Sequence, residues 1–324
     1  MPTHHLHEPP PFFEYVRLED DSLPEARRDC IDVALLDMNH AWPNVGHDAL
    51  VHIILEAADA LRDELERTQA KVRVLSFDVR RRHALPASPN GRFQLYIGTG
   101  GPGHLDPRLN DGKHEWSQGV DESAAWELPL FRLFDDILTD RTAAMIAVCH
   151  SFGLVCRWSG IATPTLREEK SSGMPLNRLS REAMQHPWFR QFARQLPDRR
   201  HFRVVDNRLF DMILNEPGKS QPIAFEAGGS TALTMIELAR DASGAMPRFL
   251  GVNHHPEIID RDHIMQVLDA KRAHGEVSDQ WYDERAITMR DLFRGENERQ
   301  SRLTSRYTLI EPLRFHLERV IRER

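Results

Sequence analysis

Ala143-Ala144-Met145-Ile146-Ala147-Val148-Cys149-His150-Ser151-Phe152-Gly153 is an apolar run that ends on a cysteine and continues into residues able to start a helix. Apolar residues without polar alternation suit a strand buried on both faces of a parallel sheet. A cysteine at the following strand-to-helix turn stands at a helix N-terminus, where the dipole favours a thiolate. So sharp a turn needs small residues two positions to either side of the nucleophile. Ala147 and Ser151 meet that need. The other reading of an isolated cysteine is a buried, inert side chain, and Cys30 and Cys156 fit that one better.

Working outward, short apolar runs recur at intervals that leave room for helices. Asp32-Val33-Ala34-Leu35-Leu36-Asp37 reads as a buried strand, followed by a loop holding Trp42, Pro43 and Gly46. A helix is predicted over 47–69, because Leu50, Ile54, Ala57, Ala58, Leu61 and Leu65 recur at helical spacing on one face. Further strands are predicted over 72–79, 93–97 and 143–148, and a helix over 130–138 with Pro129 at its start. Strands alternating with helices argue for a parallel sheet covered on both faces, with sites at the carboxyl ends of its strands. The glycine-rich turn after 93–97 and Cys149 both fall at such ends.

Other stretches are less regular. Residues 104–127 are polar and read as an inserted loop, and 168–175, with Ser171-Ser172-Gly173 and Pro175, as another. A helix is expected within 184–196 and strand within 203–214. After Glu257 the chain turns charged and helical, with breaks near Gly275 and Gly295 and a terminal helix over 313–321. The expected organisation is an N-terminal arm (1–29), a main domain (30–260) and a helical C-terminal extension (261–324). No internal repeat or low-complexity tract is present.

The 324 residues carry a net charge of -7, which provides no electrostatic footprint for nucleic acid or an anionic membrane. Arg80-Arg81-Arg82 and Arg199-Arg200 are short runs that read as solvated surface. Three cysteines are too few and too scattered for a disulfide framework, so a reducing, cytoplasmic setting is expected. The start of the sequence lacks a basic region followed by an apolar core, and no apolar stretch is long enough to cross a bilayer. His4, His5 and His7 belong to a Pro-rich, weakly ordered arm that would bind metal only adventitiously.

Two further segments bear on chemistry. Gly98-Thr99-Gly100-Gly101-Pro102-Gly103 matches G-x-G-x-x-G after a strand, but Pro102 and the following His104-Leu105-Asp106-Pro107 do not open the helix a dinucleotide site needs. A turn exposing backbone N–H groups toward an oxyanion fits better; a simple glycine loop is the plainer alternative. In His255-Pro256-Glu257, residues two apart point the same way along an extended chain, which lets Glu257 orient one imidazole nitrogen while the other faces a thiol. His254 would point to the opposite side. Zinc deaminases also use H-x-E, but they need a later P-C-x-x-C, and no cysteine follows Cys156. No metal site is therefore expected.

In this order the segments resemble the class I glutamine amidotransferase domain over about residues 30–260. Leu95-Tyr96-Ile97-Gly98-Thr99-Gly100-Gly101-Pro102-Gly103 looks like its oxyanion strand and turn, Ala147 to Gly153 like its nucleophile elbow, and Gly251-Val252-Asn253-His254-His255-Pro256-Glu257 like its G-V-Q-F-H-P-E segment. The resemblance implies a flavodoxin-like three-layer α/β sandwich with a mostly parallel central sheet, followed here by the helical extension. It implies Cys149 as nucleophile, His255 as general base and acid, and Glu257 as its orienter. The backbone at Gly100, Gly101 and His150 would hold the oxyanion and substrate. It requires no cofactor and implies a small-molecule amide substrate, glutamine or a γ-glutamyl compound. The ammonia released would pass to a separate synthase chain, or the amide would simply be hydrolysed.

Departures from the family pattern are local. The family elbow reads G-x-C-x-G-H-Q; here both glycines are replaced, and Phe152-Gly153 stands where the His-Gln pair would be. In the family that glutamine helps hold the substrate. The stretch from the glycine turn to Cys149 is longer than usual, which suggests a lid or partner surface in 104–127. Two other functions fit the same residues: an acyltransferase, in which an amine or alcohol captures the thioester, and a non-catalytic binding or regulatory subunit.

Overall fold

The computed structural model describes residues 9–18, 23–41, 45–215, 221–229 and 231–324. His4, His5, His7, Trp42 and Pro43 lie outside the described residues. Among the described residues twelve strands form one sheet: β1 (Phe13–Arg17), β2 (Cys30–Asp37), β3 (Lys71–Asp78), β4 (Phe93–Gly98), β5 (Ala144–Val148), β6 (Ala162–Gly173), β7 (Leu176–Leu179), β8 (His201–Arg203), β9 (Asp206–Leu214), β10 (Gln221–Glu226), β11 (Ala232–Arg240) and β12 (Pro247–Val252). The helices are α1 (Gly46–Asp59), α2 (Arg62–Thr68), α3 (Val79–Arg82), α4 (Glu127–Thr139), α5 (His150–Ser159), α6 (Phe189–Gln195), α7 (Arg261–Ala273), α8 (Asp279–Leu292), α9 (Glu296–Ser305) and α10 (Glu311–Arg322).

Strands β1-β3-β2-β4-β5-β12 run parallel in that order. Every residue of β2 is buried, as a strand covered on both faces must be. Its side chains alternate between two cores. Val33 and Leu35 pack beneath α1 and α10, with Leu50, Ile54 and Leu317; Ala34 and Leu36 pack with Leu130 and Phe134 of α4 and Leu154 of α5. This is the three-layer α/β sandwich with helices on both faces of the sheet. Beyond β12 the sheet continues antiparallel through β11, β10, β7 and β8, with β9 on β11 and β6 on β9.

Several elements differ from the sequence reading. The helix over 47–69 is two helices, because the backbone leaves helical angles at Leu61 (φ -114°, ψ 21°). Leu61 and Leu65 still face the same core as Leu50 and Ile54. Residues 168–173 are not a loop: they belong to β6, which pairs with β9 from Ala162 opposite Leu214 to Gly173 opposite Asp206. A register break between Leu166 and Ser171 carries the charged Arg167-Glu168-Glu169-Lys170 segment. A strand with one wet face has no need of apolar residues there. The helix expected over 184–196 shortens to α6, after turns around Pro187.

Among the described residues no helix is long and apolar enough to cross a membrane. The C-terminal helices cover two faces of the main fold. Leu313, Leu317, Val320 and Ile321 of α10 complete the core beside α1. Ile264 and Leu268 of α7 and Met289 and Leu292 of α8 pack with Ala49 of α1 and with Ile258, next to the His255 loop. A π-helical turn at Arg306–Ile310 joins α9 to α10.

Candidate active site

β4, β5 and β12 are neighbours, and their register is decisive. Gly98 and Gly251 both stand opposite Ala147, so the three segments leave the sheet side by side at its carboxyl edge. The elbow is tight. Cys149 caps α5 with φ 50° and ψ -103°, a conformation unusual for a residue with a Cβ. Its N–H donates to the Val252 carbonyl at 2.8 Å, and its own carbonyl accepts from the Gly153 N–H at 3.0 Å. The Ser151 hydroxyl donates to the Thr99 carbonyl at 2.7 Å, tying the start of α5 to the glycine turn.

The imidazole of His255 lies between Cys149 and Glu257. Nδ1 is 2.8 Å from Glu257 Oε1, and the Glu257 side chain is 1% exposed. A Cβ on Gly100 would lie 3.0 Å from His255 Cε1 and 3.7 Å from Cys149 Sγ, so the ring edge and the sulfur border the same stretch of bare backbone. Burial of the ring opposes its charge, but electrostatic interaction and hydrogen bonding with Cys149 and Glu257 outweigh it and hold His255 well above the ordinary histidine value. His254 points away, to Thr308 Oγ1 at 3.2 Å, and burial, His255 and Arg208 push it down to about 3. The loop is anchored from outside the main fold as well: Ser305 donates to the Pro256 carbonyl, and Ser301 to that of Ile258 at 3.2 Å.

The other predicted residues meet here too. Among the described residues neither the Gly101 nor the His150 backbone N–H takes a hydrogen-bond partner. The His150 ring is buried and held well below its ordinary value, first by burial and then by Arg80, and its Nε2 has no partner among the described residues. Cys30 and Cys156 are buried with their thiols pushed up by burial, as expected of inert cysteines.

Arg80 overturns its sequence reading. It is not solvated surface but a buried clamp on the glycine turn, its side chain fully enclosed with that of Glu122. Nη1 donates to the Met38 carbonyl at 2.9 Å and the Pro102 carbonyl at 2.7 Å, while Nε and Nη2 grip Glu122 at 2.9 and 2.6 Å. Glu122 lies in the 104–127 insertion, which ties back to the turn once more, Gln118 Oε1 accepting from the Gly103 N–H at 2.9 Å, and is braced internally by Asn110 Oδ1, which accepts from the His104 N–H at 2.7 Å. The only sequence signal for Arg80 was its position just past the carboxyl end of a strand.

Above the cysteine opens a cleft of about 600 Å³. Cys149, His255 and Gly101 lie in it, along with Lys170 of β6, Arg208 of β9 and Arg285 of α8. The antiparallel extension and the C-terminal helices thus both contribute to it. No sequence signal pointed to Lys170 or Arg285.

No family model and no curated protein matches the sequence. Among solved structures, a glutamine amidotransferase from Thermotoga maritima aligns with a TM-score of 0.51 and 13% identity, over 89% of this chain and 98% of that one. The chain has the class I glutamine amidotransferase fold. Weaker structural likenesses are to a glutamine amidotransferase from Methylobacillus flagellatus (TM-score 0.44, 12% identity, 90% of this chain and 93% of that one) and to the CTPS glutaminase domain of Trypanosoma brucei with bound acivicin (TM-score 0.42, 9% identity, 71% and 87%). On this amidotransferase fold Cys149, His255 and the glycine turn all occupy the carboxyl edge of the parallel strands, where α/β folds hold their ligands.

Proposed function

We propose that the protein is a cysteine-dependent amidase of the amidotransferase type, cleaving the side-chain amide of glutamine or of a γ-glutamyl compound. The observation that carries this is the convergence of a strained Cys149 with the buried His255–Glu257 pair. Thiolate attack at the amide carbon forms the C–S bond and moves charge onto the amide oxygen. The free N–H groups of Gly101 and His150 would receive that charge. The His255 imidazolium passes its proton to the amine as the C–N bond breaks, leaving a thioester. Water, deprotonated by His255, attacks the thioester, releases the acid and restores the thiolate. Glu257 orients the ring and stabilises its charged form throughout. An ammonia-accepting synthase on a separate chain would make the protein the glutaminase half of an amidotransferase.

Of the two glycines the elbow lacks, the one after the cysteine is offset by the neighbouring strand, where Gly98 leaves room for Ser151. The test is ammonia release from glutamine by the purified protein, with Cys149→Ala as control. Cysteine-dependent release supports the reading. If neither glutamine nor γ-glutamyl amides are cleaved, and mass spectrometry detects no acyl adduct on Cys149 with any of them, the reading fails.

A further inference from the structure

The cleft extends beyond the reacting groups to two cations that the proposed chemistry leaves unused. Lys170 comes from β6 and Arg285 from α8, and both line it. Among the described residues neither has a carboxylate within ion-pair distance. Their neighbours behave differently. Arg167 pairs with Asp211 and Glu226, and Arg208 with Asp206, Asp211 and Glu226, so these three acids are already engaged. Arg285 lies over the Trp281 ring at 5.1 Å, a contact that holds the guanidinium in place without neutralising it. Glu284 also borders the cleft, and its charge acts on Arg285.

Lys170 is solvent-exposed at the cleft and Arg285 half-buried; partial desolvation, and then the charge of Arg285, hold the Lys170 ammonium below its ordinary value, and Cys149 acts on it in the opposite sense. The two cations thus line one cleft with the nucleophile, where the Arg285 charge acts on Lys170. An anion between them would relieve that like-charge interaction with charge-assisted hydrogen bonds. The volume of about 600 Å³ is in the range of pockets for drug-sized ligands, more than a free amino acid requires.

We propose that Lys170 and Arg285 form an anion subsite, and that the substrate is an amide bearing a further carboxylate or phosphate, beyond the one glutamine has, remote from the bond to be cleaved. This rests on the amidase reading for what happens at Cys149, but not for binding. Binding at such a subsite would appear mainly in KM, since its contacts are the same in substrate and transition state.

The test is calorimetric binding to Cys149→Ala, which cannot turn substrate over. γ-Glutamylglycine against γ-glutamylmethylamide isolates an anion on the amine side. The pair should differ by about tenfold or more, and the advantage should vanish in Lys170→Met and in Arg285→Met while Arg285→Lys retains most of it. Equal affinities, or an advantage that survives either methionine substitution, would overturn the subsite. Loss of the ammonia assay with these differences intact would remove the amidase reading and leave the subsite standing.

Discussion

Gly98 and Ser151 are shaped to each other: a Cβ on Gly98 would lie 2.4 Å from Ser151 Oγ and 2.6 Å from its Cβ. The usual elbow makes room for the helix with a glycine after the nucleophile. Here the strand provides the space and the helix fills it, adding a hydrogen bond to the Thr99 carbonyl. Gly98→Ala should therefore force α5 from the sheet and destabilise the protein by about 1–3 kcal/mol. Ser151→Gly in the same chain should recover most of that loss. Urea unfolding of the two single variants and the double variant checks the coupling; simple additivity would refute it.

The backbone at Cys149 has a conformation that glycine adopts without strain. Cys149→Ala and Cys149→Gly should both be inactive, but the glycine variant should be more stable than the alanine one by about 1 kcal/mol. At an ordinary helix start the order would be reversed or flat. Thermal unfolding of both proteins at one pH decides it.

The raised value of His255 carries a sign. A histidine that binds its proton more tightly when folded adds stability that is complete below the ordinary value of 6.5 and is lost as pH rises through the folded value. Glu257→Gln removes one of the charges that raise it. The variant should lose stability relative to the wild type at neutral and acidic pH, with the gap closing under alkaline conditions. The alkaline limb of its kcat/KM profile should move to lower pH, because the imidazolium that protonates the leaving amine is lost earlier. An unmoved limb would mean that Glu257 does not act on His255.

Arg80 and Glu122 are enclosed together, so removing one strands the other. Glu122→Ala should cost about 3–5 kcal/mol, and Arg80→Met with Glu122→Met should cost less than the two single changes summed. Activity should fall in every case, because Arg80 also holds the Met38 and Pro102 carbonyls that shape the turn. Equilibrium unfolding and ammonia release report the two effects separately. The 104–127 insertion acts here as a buttress of the turn.

Much of the parallel core was legible because a doubly covered strand must be apolar throughout, as in β2 and β5. The helical face of Leu50 to Leu65 was legible from its period. Short antiparallel strands such as β7 and β10 were not, since their pairing depends on partners distant in the chain. The charged part of β6 was misread for the opposite reason: wet strands and loops share a composition.

The sequence by itself determined the order of three segments, each ending a strand or starting a turn, and the residue types a cysteine nucleophile needs. Only the tertiary structure brought them onto adjacent strands, with Gly98 and Gly251 across from Ala147. It also turned Arg80 inward onto Glu122 and set Lys170 and Arg285 in the walls of one cleft. Local propensity is written in neighbouring residues, whereas burial of a charge depends on which distant segment packs against it.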